Sequence, residues 1–180
     1  MKIAYKRASP TDKLEVFKFD GSATIHFVLW PIRNNPHAGV LLVADRIHMS
    51  DGTSGTALLI DLKRRGKTDR RSFIAVGLLD GDIEYAHTIL SLMFNIPPTV
   101  EPLFTLPRDA LGDLNEVLEQ LNNNPFSLIS EEIGMNCVSL VNDIICHYTN
   151  LRTRYRIQFF GQSSEFVMLS AYQIKSTDET

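Results

Sequence analysis

The stretch AGVLLVADRIHMSDGTSGTALLIDLKRR, residues 38–65, holds two long apolar runs separated by turn-forming residues. The runs AGVLLVADRI and TALLIDLKRR are nearly continuous rather than alternating, a pattern typical of strands that are buried on both faces. The intervening HMSDGTSG contains the glycine and serine residues expected of a tight connection. We therefore predict that residues 38–45 and 56–63 form an antiparallel hairpin at the centre of a sheet.

The segments on either side of this hairpin also have the composition of strands. A strand over KLEVFKFD is expected to end in a turn at Gly21, and a strand over ATIHFVLWPI is expected to end at Pro31. SFIAVGLL predicts a further strand, and RYRIQFFG with EFVMLSAYQI predicts a terminal strand pair. In chain order these strands are residues 13–20, 23–32, 72–79, 154–161 and 165–174.

Helical periodicity is found in the middle of the chain. DIEYAHTILSLMF (82–94), LPRDALGDLNEVLEQLNNN (106–124) and CVSLVNDIICHY (137–148) each place apolar residues on one helical face, and IPPTVEP (96–102) separates the first two. The order of strands, helices and strands predicts one α+β domain over residues 1–180. It would contain a central antiparallel sheet with helices packed on one face.

Composition places the chain among globular proteins. Of its 180 residues 44% are apolar and 22% charged, and the formal net charge of −3 does not favour nucleic-acid binding. The N-terminus is polar rather than a secretory signal, and no apolar run has the roughly eighteen residues of a membrane span. Cys137 and Cys146 lie too far apart on one predicted helix to form a disulfide with each other. We predict a protein that is cytoplasmic, or exported without a cleavable signal peptide, and that has no transmembrane segment.

Cys137 stands directly after Gly-Met-Asn and begins a predicted helix. Unpaired N–H groups at a helix start lower the pKa of a thiol, so this is a favourable position for a nucleophile. The alternative is that Cys137 packs in the core, as cysteines commonly do. Cys146, further along the same helix, is predicted to be structural.

A cysteine nucleophile requires a base, and His37 is the best placed of the five histidines. It follows Pro36 and opens the most apolar strand, where the strand fixes a side chain and the loop leaves it accessible. Asp61, an acid inside the apolar run ALLIDLK, would orient the imidazole, although a one-residue change of register would turn it away. Asp45 is the rival acid. The alternatives are that His37 is a loop residue without a catalytic role and that Asp61 is a solvated acid at the end of its strand.

The motifs PHAGVLLV (36–43) and NCVSLVNDII (136–145) together resemble the circularly permuted papain-like families. These include the lecithin-retinol acyltransferase type and the PPPDE deubiquitinating type, in which the histidine precedes the cysteine. The order of histidine, acid and cysteine is also similar to that of the adenovirus- and SUMO-protease clan and the related bacterial effector acetyltransferases. Ala38 and Val138 differ from the aromatic residue and the glycine usual in that clan, so the permuted papain-like pattern fits better.

This resemblance implies a helix that starts at the cysteine and packs on a sheet whose strands carry the histidine and the third polar residue. It implies that Cys137 is the nucleophile and His37 the base. Asn136 occupies the position at which the papain-like group would have its asparagine.

The segment KRRGKTDRR, residues 63–71, is rich in positive charge. We predict that it is either a solvated loop or a binding surface for an anionic partner, such as phosphates, an acidic protein or an anionic membrane. Its basic residues are Lys63, Arg64, Arg65, Lys67, Arg70 and Arg71. Motifs for structural metals, phosphate loops and serine hydrolases do not occur, so no metal and no cofactor are predicted.

Taken together, these features predict a cysteine-dependent acyl-transfer enzyme that hydrolyses or transfers an amide, isopeptide or thioester. Its substrate would be a protein or another acyl-bearing molecule. The alternative is a non-enzymatic protein-binding module, such as an effector, a chaperone or an immunity-type partner. The separation between His37 and Cys137 distinguishes the two hypotheses, because a base must lie within reach of its nucleophile.

Overall fold

The computed structural model describes residues 6–7, 15–33, 36–64, 72–111, 114–122, 137–148, 153–154, 158–159, 166–167 and 175–176. In this part of the chain, the main sheet has six strands in the order β1-β5-β4-β3-β2-β6, and every neighbouring pair is antiparallel. The strands are β1 (Lys6–Arg7), β2 (Val16–Trp30), β3 (His37–Met49), β4 (Ser54–Arg64), β5 (Ser72–Leu79) and β6 (Thr99–Leu106). The predicted hairpin, now β3 and β4, lies at the centre of the sheet, and the predicted central antiparallel sheet is confirmed.

The predicted turn at Gly21 is wrong. β2 runs through this position as one long strand, and its register against β3 shifts between Asp20 and Ala23. Gly21 has a φ of 75°, which glycine adopts without steric cost. The glycine therefore produces a β-bulge that bends the strand instead of a turn that ends it.

Strand β6 was not predicted, because its sequence TVEPLFTL contains a proline. Among the described strands it pairs with β2 alone, so it lies at the edge of the sheet that they form. Pro102 sits opposite His26 next to a register shift. An edge strand at a bulge tolerates a residue that cannot donate a backbone hydrogen bond.

The helices are α1 (Ile83–Phe94), α2 (Leu114–Asn122) and α3 (Cys137–Tyr148), with a short 3₁₀ turn at Arg108–Leu111. The Asp82 side chain caps α1 by accepting a hydrogen bond from the Tyr85 N–H at 2.8 Å. In the described residues of 106–124, the predicted long helix is instead a strand end, the 3₁₀ turn and α2. No helix in the described ranges has the length and hydropathy needed to cross a membrane.

Helices pack on both faces of the sheet, so the prediction that they pack on one face is wrong. Leu42 and Ile60 belong to an apolar cluster that includes Ile144 of α3. Leu41, next to Leu42, belongs to a second cluster that includes Leu90 of α1. Because adjacent residues of a strand point to opposite faces, the continuous apolar runs provide a core on each side.

Two-residue segments are described near the C-terminus. Gln158–Phe159 pairs with Phe166–Val167 in an antiparallel arrangement, at the place where the terminal strand pair is predicted. Thr153–Arg154 pairs with Lys175–Ser176. The remaining residues of the predicted terminal strands lie outside the described residues.

Candidate active site

The first residue of α3 lies next to the first residue of β3. The Cys137 sulfur is 4.0 Å from the carbonyl oxygen of Pro36, and the Cys137 side chain is half-buried. The proximity of Cys137 contributes to the raised pKa of the His37 imidazole. The structure therefore places the two residues side by side, although the chain separates them by a hundred positions.

Asp61 lies on the other side of the same imidazole. His37 Nε2 is 3.2 Å from Asp61 Oδ2, and the Asp61 side chain is fully buried. The rival acid, Asp45, is placed near Gly21 instead, at the far end of β3.

The register of the central hairpin determines where Asp61 points. Val40 pairs with Ile60, and both side chains belong to the cluster under α3. Asp61 follows Ile60 and so points to the opposite face, as His37 does. Gly39 is the neighbour of Asp61 across the hairpin, because a Cβ at this position would lie 3.4 Å from the Asp61 Cβ.

The electrostatics of His37 favour its protonated form. Burial lowers the pKa of the imidazole, but the hydrogen bond to Asp61, the adjacent Cys137 side chain and the negative charges of both groups outweigh this effect and raise the pKa to about 9. At neutral pH the site therefore contains an imidazolium held between a carboxylate and a sulfur.

Two aromatic rings fix the orientation of His37. Its ring centroid is 5.3 Å from that of Trp30 and 5.3 Å from that of Phe94. Trp30 pairs with His37 across β2 and β3, and its indole N–H donates a hydrogen bond to the carbonyl of Leu90 at 2.8 Å. Rotation of the imidazole is limited by these rings and by its two polar partners.

Lys63 belongs to the same cluster. Its Nζ is 3.2 Å from Asp61 Oδ2 and 5.1 Å from the centre of the Phe94 ring. Lys63 was predicted as part of the basic segment, but its side chain points into the site and is only 20% exposed. Lys63 and Asp61 are two positions apart on one strand, so their side chains share a face. This spacing is visible in the sequence and could have placed Lys63 in the site.

The other predicted binding residues cannot be placed with these groups. Arg64 ends β4, and its side chain lies outside the described residues. The segment 65–71, which contains Arg65, Lys67, Arg70 and Arg71, also lies outside them, as do Asn136 and the side chain of Cys146. Binding of an anionic partner by the basic segment stays a prediction.

Three other histidines have contacts away from this site. His26 Nδ1 is 3.3 Å from the carbonyl oxygen of Leu41, His48 Nε2 is 2.9 Å from Asp20, and His87 Nε2 is 3.0 Å from the carbonyl oxygen of Pro98. His26 and His87 line a cavity of about 460 Å³ between α1 and β6, which none of the three predicted catalytic residues lines. Among the described residues, no group of three or more His, Cys, Asp or Glu side chains has the arrangement of a metal site.

Comparisons with protein-family models, curated proteins and solved structures give no match for this chain. Cys137, His37 and Asp61 therefore carry the functional interpretation. These residues come from α3, β3 and β4, and His37 lies between a hydrogen bond to Asp61 and the nearby Cys137 side chain.

Proposed function

We propose that this protein is a papain-like, cysteine-dependent acyl-transfer enzyme. The observation that supports the proposal is the arrangement of Cys137 beside His37, whose imidazole is hydrogen-bonded to Asp61. A nucleophile, a base and a residue that orients the base are the three parts of such a site. The combination is more specific than any one of them, since an isolated buried cysteine or histidine is common in protein cores.

The proposed reaction starts from a Cys137 thiolate beside a protonated His37. The thiolate attacks the carbonyl carbon of an amide, isopeptide or thioester, and His37 gives its proton to the leaving group. This step leaves the acyl group on Cys137 as a thioester. Water or an amine then attacks the thioester and transfers a proton to His37, which releases the acyl product and regenerates the ion pair.

Two further features support this chemistry. Asp61 accepts a hydrogen bond from Nε2 and therefore fixes the orientation of the imidazole next to Cys137. The first N–H groups of α3 have no partners within the helix, and in our proposal they stabilise the oxyanion that forms on the substrate carbonyl. The site therefore has a group for each charge that develops in the reaction.

The test uses a small activated ester, p-nitrophenyl acetate, together with peptide mass spectrometry. We expect acetylation of Cys137, followed by deacetylation, and much slower reaction in His37→Ala. Cys146→Ser is the matched control and should react like the parent protein. If Cys137 is acetylated no faster than Cys146, the enzyme proposal is wrong and the alternative of a protein-binding module is favoured.

A further inference from the structure

The charges of the proposed site do not balance without Lys63. A Cys137 thiolate and an Asp61 carboxylate carry two negative charges, and a protonated His37 carries one positive charge. An uncompensated charge in a buried site is costly. Lys63 brings the total to zero, because its ammonium group contacts Asp61 at 3.2 Å.

The Asp61 carboxylate is held through one oxygen atom. His37 Nε2 and Lys63 Nζ both bind Oδ2, each at 3.2 Å. The other oxygen, Oδ1, is buried and has no hydrogen-bond partner. The position of the carboxylate therefore depends on these two groups.

We propose that Lys63 is a positioning residue that balances the charge of the site, so that Cys137 and Asp61 are ionised together while His37 stays protonated. This inference rests on the proposed function, because it assigns Lys63 a role in preparing the nucleophile. It assigns Lys63 a role that differs from the one predicted for the basic residues that follow it in the sequence.

The described neighbours of these four groups offer no substitute for the charge of Lys63. On the α1 face, β2 provides Trp30 and α1 provides Phe94. β5 places Phe73 opposite Lys63 and Ala75 opposite Asp61. None of these four side chains titrates, so they cannot replace the charge of Lys63 beside Asp61.

If Lys63 balances the charge of the site, its removal should change the pH at which the other groups titrate. Removal of a purely structural lysine should not. A positive charge favours loss of a proton from its neighbours. Removing the charge should therefore raise both the pH at which the Cys137 thiolate forms and the pH at which His37 loses its proton. A displacement of one pH unit corresponds to a fall of about tenfold in the thiolate fraction on the acidic side.

The experiment compares Lys63→Met, Lys63→Gln and Lys63→Arg. The rate at which iodoacetamide alkylates Cys137 is measured by mass spectrometry across pH, and NMR measures the titration of the His37 ring. We expect both titrations to move to higher pH in Lys63→Met and Lys63→Gln, with roughly tenfold slower alkylation on the acidic side, and to remain in place in Lys63→Arg. Glutamine keeps a hydrogen-bond donor without the charge, so it separates charge from hydrogen bonding. Lys18→Met, at an exposed lysine that pairs with Asp20, is the control and should behave like the parent.

Unchanged titrations in the folded neutral variants would overturn the role of Lys63. So would the loss of folding in both neutral variants when Lys63→Arg folds, because the charge would then serve the fold. The His37 titration is observable in an inactive protein. Failure of the acyl-transfer proposal would appear as absent Cys137 acetylation in the parent, whereas failure of the Lys63 proposal would appear as titrations that do not move.

Discussion

Gly39 lies against Asp61 in the central hairpin, at the point where the acid turns towards His37. A Cβ at position 39 would be 3.4 Å from the Asp61 Cβ and 3.1 Å from the carbonyl oxygen of Ile60. The second contact is tighter than ordinary packing and involves backbone, which cannot easily move. The absence of a side chain at Gly39 is therefore part of what allows β3 and β4 to approach this closely next to Asp61.

We expect Gly39→Ala to separate β3 from β4 slightly and to lower the free energy of unfolding by about 1–3 kcal/mol, as overpacking commonly does. The separation should also weaken the contact between His37 and Asp61 and slow the alkylation of Cys137. Urea denaturation and alkylation rates measure the two effects. A variant with unchanged stability and unchanged alkylation would show that the hairpin accommodates the methyl group.

Cys137→Ala should distinguish a reactive cysteine from a core cysteine. A core cysteine leaves a void when it is truncated, which costs on the order of 1 kcal/mol or more. A nucleophile in a partly open site should give a variant at least as stable as the parent, because active-site residues are often unfavourable for stability. We expect the second result, with loss of acyl transfer.

His37→Ala should cause the same loss of acyl transfer, and the double variant should be no less active than either single variant, because the pair acts as a unit. Thermal unfolding and ester turnover are the measurements. A clearly destabilised Cys137→Ala protein that retains turnover would exclude Cys137 as the nucleophile.

The raised pKa of His37 predicts how stability depends on pH. Since the pKa rises from 6.5 to about 9 on folding, the native state binds the proton more tightly than the unfolded chain does. The resulting stabilisation, roughly 3 kcal/mol, is fully present below pH 6.5 and is lost as the pH rises through about 9. Urea denaturation of the parent and of His37→Gln at roughly pH 6 and pH 10 measures it. The stability difference between the two proteins should shrink at the higher pH, and a constant difference would refute the assignment.

The basic segment is tested separately from Lys63. If residues 65–71 bind an anionic partner, replacing Arg65, Arg70 and Arg71 with Glu should weaken binding to anionic lipid vesicles or polyphosphate, and added salt should have the same effect. Folding should hardly change, because exposed charge substitutions usually alter stability by less than about 0.5 kcal/mol. Neutral vesicles are the control. A large fall in melting temperature would instead indicate a structural role for the segment.

The parts of the fold that were predicted correctly have strong local signals. Two continuous apolar runs and a glycine-containing connection are sufficient to predict β3 and β4. Gly21 also has a strong local signal, but glycine occurs in bulges as well as in turns. The pairing of β2 with β3 on one side and β6 on the other decides that this glycine lies in a bulge. The strand that contains Pro102 was missed for a similar reason. A proline is tolerated in an edge strand, but only the order of the strands shows that β6 lies at an edge.

The candidate site was predictable only in part. Cys137 and His37 have distinctive positions at the start of a helix and of a strand, and Asp61 is conspicuous within an apolar run. Trp30 and Phe94 have ordinary apolar surroundings in the sequence, so their contacts with His37 depend on the register of β2 and on how α1 packs. In the sequence, Lys63 belongs to a run of basic residues that suggests a charged surface. The pleat of β4 instead directs its side chain into the site.

The position of the site at the junction of both helical layers has a consequence for inactivation. α3 carries Cys137 from one side of the sheet, and α1 places Phe94 against His37 from the other. Partial opening of either layer would therefore separate groups that must touch, while the central strands remain paired. It follows that heat should abolish acyl transfer at a lower temperature than it melts the sheet. Loss of enzyme activity would then indicate that one of the two helical layers has opened.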